Sequence, residues 1–322
     1  MVGSDRQPES TLMPESSLTP FTWGHANQGG QHDWPFLMAL DQGFFADEGI
    51  DLTVRVIPGG DALAKAMGRG EIDLGRMGTP PFLQAVTNGN FPDGRIVASS
   101  VIGNLDHFLL VVRPDITDVR QLRGHTIGVL SRGSCDGHLM RMLLARAGLD
   151  PEHDVRYQEL WSEYESLDAM ADGSVSAQLM VEPLVAQGEA AGVLRLVGPA
   201  SEAEPHFQWG LLVARAAFVE QQPELLTRLL RAYLRGVAHC LAEPAALRAL
   251  LLARADNTLS AAELERAFER TLPVWNLTGA IDLPGLRRAA QVMHDIGSIP
   301  APLDVDPLVD LRGLPDQGQR KR

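Results

Sequence analysis

The order of predicted elements along the chain indicates an α/β fold with two lobes. Segments with the period of a strand alternate with helical segments of roughly 10 to 20 residues, and this alternation is typical of parallel sheets with helices on both faces. The chain has 322 residues, of which 45% are hydrophobic and 21% charged. That is the composition of an ordinary globular protein, and the length is enough for two domains of roughly 150 residues each.

The most informative local pattern is WPFLMALDQGFFADEGIDL, Trp34 to Leu52. Pro35 suits the first turn of a helix, where its missing N–H costs nothing, and apolar residues follow it at helical spacing. Gly43 and Gly49 interrupt that pattern. From Ile50 to Val56 apolar and polar residues alternate, as they do in a half-buried strand. The segment therefore predicts a helix, a turn and a strand.

Four further segments follow in a recognisable order. They are GGDALAKAMGRGEIDLGRMG (Gly59–Gly78), VRQLRGHTIGVL (Val119–Leu130), RGSCDGHLMRMLLARAGLDPEHD (Arg132–Asp154) and LVARAAFVEQQPELLTRLLRAYLRG (Leu212–Gly236). Together with residues 34–52 they resemble the type II periplasmic-binding-protein fold. The resemblance is to the SsuA/THI5-like branch, which binds nitrate, sulfonates, taurine and thiamine-pyrimidine precursors. Each motif is weak alone, and the five in order are a strong signal.

The resemblance implies a two-lobed fold with mixed sheets, flanking helices and two hinge crossings. On this expectation residues 1–20 are a disordered polar leader, residues 21–105 and 206–322 form lobe one, and residues 106–205 form lobe two. The crossings are expected near Val101–His107 and Ala203–Trp209. His107, at the first crossing, is predicted to be a solvated hinge residue.

The apolar residues are distributed as in a packed core. The helices in the last third of the chain carry them at helical spacing, and the predicted core residues there are Leu226, Leu229, Leu230 and Tyr233. No apolar run reaches the ~18 residues that a membrane helix needs, so no transmembrane segment is expected.

Charge and cysteine content exclude several classes of partner. The formal net charge is −13 and the isoelectric point is near 5.1, whereas a nucleic-acid partner would require a basic patch. Cys135 and Cys240 are too few to indicate a disulfide framework or a metal site, although one disulfide between them stays open. We expect neither a nucleic-acid partner nor a bound metal.

The N-terminal segment decides the predicted compartment. Met1 to Pro20 is rich in Ser, Pro and Glu, and it lacks the basic and apolar regions of a secretory signal. On the sequence as given, we expect a cytoplasmic protein. Such a leader also resembles the linker that follows a lipoprotein cleavage site. The alternative is therefore a trimmed N-terminus on a protein that is periplasmic or anchored outside a membrane.

The fold places ligands beyond the strand ends, where unpaired backbone N–H groups and helix dipoles favour anions. Four segments take such positions: His25–Trp34, Met77–Pro81, Ser131–His138 and Met180–Pro183. With the segment that re-enters lobe one, they give nine predicted ligand-binding residues: His25, Asn27, His32, Trp34, Thr79, Ser131, Ser134, Glu182 and Trp209. Trp34 and Trp209 offer flat apolar surfaces for a heteroaromatic ligand.

Several of these residues also have a structural interpretation. Thr79 is expected to cap the helix that follows it. Glu182 either meets a ligand amine or acts as a general base, or it lies near a helix dipole without further function. Trp209 fits core packing equally well. The resemblance assigns Ser134 to an oxyanion contact.

Two functions are open at this point. The resemblance implies the solute-binding component of an ABC-type transporter, which delivers a small organic anion or heteroaromatic compound to a permease. The alternative is a cytoplasmic enzyme on the same fold, a decarboxylase or another lyase or hydrolase. The candidate acids, bases and nucleophiles for that enzyme are Cys135, His25, His32 and Glu182. No cofactor is expected, because phosphate-binding glycine motifs are absent and only Lys65 and Lys321 could form a Schiff base.

Overall fold

The computed structural model of the protein describes residues 18–26, 30–160, 163–254 and 259–315. Most of the predicted leader, residues 1–17, lies outside the described residues. Asn27, one of the predicted ligand-binding residues, lies outside them as well.

The first sheet, within the described residues, has five strands. They are β1 (Thr19–His25), β2 (Ile50–Val56), β3 (Leu74–Gly78), β4 (Gly94–Ser99) and β10 (Gly210–Arg215), in the spatial order β2-β1-β3-β10-β4. β1 is parallel to β2 and β3, and β10 is antiparallel to both of its neighbours. The accompanying helices are α1 (Trp34–Asp41), α2 (Phe44–Asp47), α3 (Gly60–Gly68), α4 (Thr79–Thr87), α8 (Ala216–Gln221), α9 (Pro223–Ala242), α10 (Pro244–Arg254), α11 (Ala261–Thr271) and α12 (Leu283–Asp295). This sheet with these helices is called lobe one below.

The second sheet also has five strands in the described part of the chain. They are β5 (Leu109–Val112), β6 (Thr126–Val129), β7 (Arg156–Glu159), β8 (Ala177–Met180) and β9 (Arg195–Pro199), in the order β7-β6-β8-β5-β9. β6 is parallel to β7 and β8, and β5 is antiparallel to β8 and β9. The helices α5 (Cys135–Arg146), α6 (Glu163–Asp172) and α7 (Leu184–Ala190) complete lobe two. Both sheets are mixed, so the predicted fold class is confirmed.

The chain passes from one sheet to the other twice. The first connection runs from Ser99 to Leu109, and the second runs from Pro199 to Gly210. The prediction that His107 is solvated is wrong, since this residue is only 2% exposed. Its ring packs 4.2 Å from the ring of Phe108 and 4.0 Å from that of Trp209, which removes it from water.

The segment that begins at Trp34 folds as predicted. α1 has Pro35 in its first turn and ends at Asp41. Gly43 then takes a φ of 70° and Gly49 a φ of 72°, in the left-handed region that glycine enters without a steric penalty. The two turns direct the chain into β2, which pairs with β1 along its whole length.

Aromatic residues pack the core of lobe one between α1, α9 and β1. The ring of Trp23 on β1 lies 5.1 Å from Phe36 and 6.0 Å from Tyr233. All four core residues predicted on α9, Leu226, Leu229, Leu230 and Tyr233, are buried. No single described helix has both the length and the hydropathy of a membrane span; α9 and α10 reach those values only when taken together, with a bend of 103° between them.

Tyr233 also supports the start of the first crossing, which gives a prediction about stability. Its hydroxyl accepts a 2.9 Å hydrogen bond from the backbone N–H of Val101, which is buried. Tyr233→Phe leaves that N–H without a partner, so the free energy of unfolding should fall by about 1–3 kcal/mol. Urea denaturation, followed by tryptophan fluorescence, measures this change.

Tyr157→Phe is the matched control for this substitution. The Tyr157 hydroxyl has no hydrogen-bond partner among the described residues, so its removal should change the free energy of unfolding by less than about 0.5 kcal/mol. Equal losses in the two variants would show that the Val101 hydrogen bond does not stabilise the crossing.

Candidate ligand-binding cleft

A cavity of about 70 Å³ lies between the two lobes. Its walls come from the carboxyl ends of parallel strands, where ligands bind in open α/β sheets. The lining residues are Ala26, His32, Gly59, Gly60, Arg76, Met77, Gly78, Phe108, Leu130, Ser134, Cys135, Asp136, Ser166, Gln178, Leu179, Met180, Val181, Leu184 and Trp209. All four segments predicted from strand ends contribute to this lining. Two wider depressions, of about 420 and 450 Å³, lie away from these strand ends.

Arg76, on the lobe-one side of the cavity, belongs to a buried ion pair. Arg76 on β3 is 3% exposed, and its Nη2 lies 2.8 Å from Asp33 Oδ1. His25 Nε2 lies 2.6 Å from the same oxygen, and it is the donor because a carboxylate only accepts. Burial alone would raise the pKa of Asp33, but Arg76, His25 and His32 lower it well below its usual range. The charged pair fixes the loop before α1 against β3.

Arg76 was not among the predicted site residues. It is a single charged residue in a strand whose members are all buried. A buried guanidinium must be paired, and Arg76 is paired with Asp33 and also lines the cavity. The sequence signal that could have found it is this lone arginine between Gly75 and Met77 in an otherwise uncharged strand.

Four rings cluster where the crossings meet the cavity. Trp209 packs against His107 at 4.0 Å, Phe108 at 5.1 Å and His32 at 5.8 Å. Burial, together with Arg76, lowers the pKa of His32 to about 3. Burial also lowers the pKa of His107 well below its usual value, with His32 and Arg76 adding to the effect. Both imidazoles are therefore neutral at neutral pH.

Thr79 holds Trp209 in place. Its hydroxyl donates to the Trp209 carbonyl at 3.0 Å, and its N–H donates to the same oxygen at 2.7 Å. The prediction that Thr79 caps its helix is wrong, because the hydroxyl makes no cap bond and points to this carbonyl. The indole N–H of Trp209 has no oxygen or nitrogen partner among the described residues.

The N-terminus of α5 forms the lobe-two side. Ser134 accepts a 3.1 Å bond from the Ser131 N–H, and its hydroxyl faces two acceptors, the Ser131 carbonyl at 2.6 Å and Asp136 Oδ1. Asp136 Oδ2 accepts a 2.7 Å bond from the Leu130 N–H. Ser134 thus lines the cavity with its hydroxyl engaged inside the loop. Its role as an oxyanion contact stays a prediction.

The Cys135 thiol is enclosed although the residue as a whole is only half-buried. Burial raises the pKa of this thiol to about 12, so it is protonated at neutral pH and a poor nucleophile. A β-carbon on Gly78 would overlap Cys135 Sγ and would lie 2.7 Å from Trp209 Nε1. Cys135 and Cys240 are both free thiols.

Five of the predicted residues that the structure describes lie outside the lining. Trp34 packs against Phe268 and Trp275, with ring centroids 5.5 and 6.3 Å apart. Glu182 is fully buried, pairs with Arg270 at 2.7 Å and accepts from the Ala186 N–H. The other three are His25, which bonds Asp33, Thr79, which bonds the Trp209 carbonyl, and Ser131, which contacts Ser134.

The lining offers several hydrogen-bonding groups. Arg76 and Trp209 supply donors, Asp136 supplies a carboxylate, and one end of the Gln178 amide bonds Ser166 at 2.7 Å while its oxygen has no partner among the described residues. In the same part of the chain, His, Cys, Asp and Glu side chains form no group of three that could hold a metal ion. Such an arrangement binds a small molecule by hydrogen bonds and ring contacts.

The buried histidines predict how stability responds to acid. The pKa of His32 is about 3 in the folded protein and near 6.5 in an unfolded chain. Between those values the unfolded chain binds more protons, so the free energy of unfolding should fall on acidification, by up to about 1.4 kcal/mol per pH unit for this group. Burial raises the pKa of Asp136 to about 6. Between pH 6 and the ordinary pKa of an aspartate, this group therefore raises the free energy of unfolding on acidification and opposes the effect of His32.

Denaturation at a series of pH values tests this in His32→Gln, whose stability should depend less steeply on pH. His153 is exposed, and Asp150 raises its pKa, so His153→Gln should not reduce the slope. An unchanged slope in His32→Gln would mean that His32 is not held neutral by burial.

Known proteins resemble this chain in fold and in sequence. The alkanesulfonate-binding protein SsuA of Xanthomonas axonopodis pv. citri, bound to MOPS, superposes with a TM-score of 0.76 at 19% identity, over 90% of this chain and 97% of that one. The ligand-binding component of an ABC-type import system from Staphylococcus aureus gives 0.70 at 15% identity, over 90% and 96%. At these identities the likeness shows the fold, and it confirms the type II periplasmic-binding-protein fold.

The sequence relatives match over a shorter part of the chain. YtlA of Bacillus subtilis (strain 168), described as a binding protein, is 20% identical over 200 residues, which cover 62% of this chain. The chain spans only 59% of the length of YtlA. A model of the family described as NMT1/THI5 like matches residues 31–247, well over half of the chain. The protein therefore belongs to the NMT1/THI5-like family.

Proposed function

We propose that this protein is the solute-binding component of an ABC-type importer and that it closes its two lobes around one small organic molecule. The observation that carries the proposal is the cavity itself, which is lined from both lobes at the carboxyl ends of their parallel strands. Two connections between the lobes allow them to close on a ligand by hinge motion. A binding site of this kind gains affinity from both walls at once.

Contacts across the cleft support a closed arrangement. The Gln31 N–H donates to the Glu182 carbonyl at 3.1 Å, and the Gln31 side chain donates to the His107 carbonyl at 3.2 Å. Arg270 on α11 pairs with Glu182 and with Glu189 on α7, at 2.7 Å in each case. α11 is anchored in lobe one by Phe268, which packs on Trp34. Arg270 therefore connects lobe one to lobe two by ion pairs.

The hinge belongs to the same proposal. The predicted lobe boundaries, 105/106 and 205/206, fall within the two connections, Ser99 to Leu109 and Pro199 to Gly210. Rotation about these short segments would separate the walls of the cavity while each sheet stays intact.

The partner and the compartment are proposals as well. The binding component of an importer has to meet its ligand outside the cytoplasm, so this function favours the exported alternative over the cytoplasmic expectation. The proposed partner is the permease that receives the ligand. The protonated Cys135 thiol and the neutral His32 speak against the enzyme alternative, because neither is activated for chemistry.

Stoichiometry tests binding against catalysis. The purified protein, at substoichiometric concentration, is incubated with a polar metabolite extract, and every small molecule is followed by mass spectrometry. We expect one compound to be depleted by no more than one equivalent and to be recovered intact after denaturation. The same extract with denatured protein is the control. Depletion well beyond one equivalent, with a new mass rising in step, would make the protein an enzyme.

Arg270→Gln tests the tie between the lobes. The substitution leaves Glu182 without its ion-pair partner in the closed state, a loss worth about 1.5–3 kcal/mol for a hydrogen bond to a charged group. The affinity for the retained compound should fall by roughly 10- to 150-fold. Calorimetric titration measures the affinity, and small-angle scattering measures whether the ligand-free protein is more open.

Arg235→Gln is the control for this variant. Arg235 on α9 pairs with Asp47 at 2.8 Å, and both residues belong to lobe one. The substitution removes an ion pair without touching lobe two, so affinity should be unchanged. If both variants bind as tightly as the native protein, Arg270 does not contribute to closure.

A further inference from the structure

Asp136 is a buried carboxylate without an ion-pair partner among the described residues. It is 4% exposed and lines the cavity at the second residue of α5. Its hydrogen bonds come from the Ser134 hydroxyl and from the backbone N–H groups of Leu130, Gly137 and Asp136 itself, which are all neutral donors. Buried charges in proteins are normally paired or bind an ion, so this carboxylate needs a counter-charge from elsewhere.

The other groups of the cavity do not supply that charge. The Arg76 guanidinium is already compensated by Asp33, 2.8 Å away. His32 is neutral, since burial and Arg76 lower its pKa to about 3. The described lining contains no lysine. With Asp136 ionised, the cavity therefore carries one uncompensated negative charge.

The dipole of α5 stabilises part of the negative charge on Asp136. A carboxylate in the first turn of a helix is stabilised by the positive end of the dipole and by free backbone N–H groups. Burial nevertheless raises the pKa of Asp136 to about 6, so the dipole and the hydrogen bonds do not fully offset the loss of solvent. A ligand that brings a positive charge would offset the remainder.

A second acceptor and two rings face the same cavity. Gln178 is 2% exposed; its amide nitrogen bonds Ser166, and its oxygen has no partner among the described residues. An N–H donor of a ligand would satisfy that oxygen. Trp209 and Phe108 provide ring faces, and such faces attract cations electrostatically.

We propose that the cavity binds a small organic cation, an amine or amidine, whose N–H groups donate to Asp136 and Gln178 and whose carbon skeleton lies against Trp209 and Phe108. The proposal rests on the proposed function and narrows its ligand class. An anionic ligand at the start of α5 would be repelled by the Asp136 carboxylate that lies there.

Probes of equal shape and different charge test this inference on the native protein. One series is acetamidinium, acetamide and acetate, and a larger series is benzamidinium, benzamide and benzoate. Calorimetric titration at pH 7.5 should show that the amidinium of at least one series binds, and binds at least tenfold more tightly than the amide and the carboxylate of that series. A carboxylate that binds as tightly as the amidinium, or failure of both amidinium ions to bind, would overturn the proposal.

Asp136→Asn removes the charge while it keeps the shape. The preference for the amidinium should fall at least tenfold in this variant. Asp282→Asn is the matched control, because Asp282 lies at the N-cap of α12 and outside the cavity, and its preference should stay as in the native protein. A preference retained in Asp136→Asn would exclude Asp136 as the partner of the cation. If Asp136→Asn does not fold, two other measurements decide whether the cavity binds a cation. One is the probe series on the native protein, and the other is Gln178→Leu, which should weaken amidinium binding.

The metabolite experiment separates this inference from the proposed function. An anionic or neutral metabolite bound at one equivalent would leave solute binding in place and would reject the cation. If neither the six probes nor the extract yields a ligand, solute binding itself is rejected.

Discussion

The buried ion pair between Asp33 and Arg76 is the constraint on which the cleft depends. Charges at this depth are stable only as a pair. If the loop before α1 moved away from β3, the Arg76 guanidinium would therefore stay buried without a counter-charge. The same loop brings His32 into the cavity and Gln31 to the Glu182 carbonyl of lobe two. One pair of charges therefore fixes both a wall of the cavity and a contact between the lobes.

Low solvent access explains the titration behaviour of the whole cleft. Burial pushes His32 and His107 to their neutral forms, keeps the Cys135 thiol protonated and raises the pKa of Asp136. In such a site an unbalanced charge acts on a ligand more strongly than it would at the surface, because little water screens it. A dry cleft would therefore distinguish ligands by their charge.

Local patterns predict local structure, and they do so well in this chain. Pro35 and Gly43 act within a few residues, so α1 and its exit could be derived from the sequence, and strand ends identified the segments that line the cavity. Contacts between distant residues could not be derived in this way. The Thr79 hydroxyl bonds a carbonyl 130 positions away, and the pairing of Arg76 with Asp33 depends on how β1 lies beside β3. Periodicity carries no information about such partners.

Gly78 lies where the cleft has no room for even one additional carbon atom. Its backbone, with a φ of −83° and a ψ of 160°, is open to any residue, so the restriction on this position is purely steric. Cys135 of lobe two and the indole of Trp209 occupy the space that a β-carbon would take. A single added methyl group here acts as a wedge between the lobes. If the lobes close as proposed, a side chain at position 78 would hinder closure and would also displace Cys135 and Trp209, two residues of the lining.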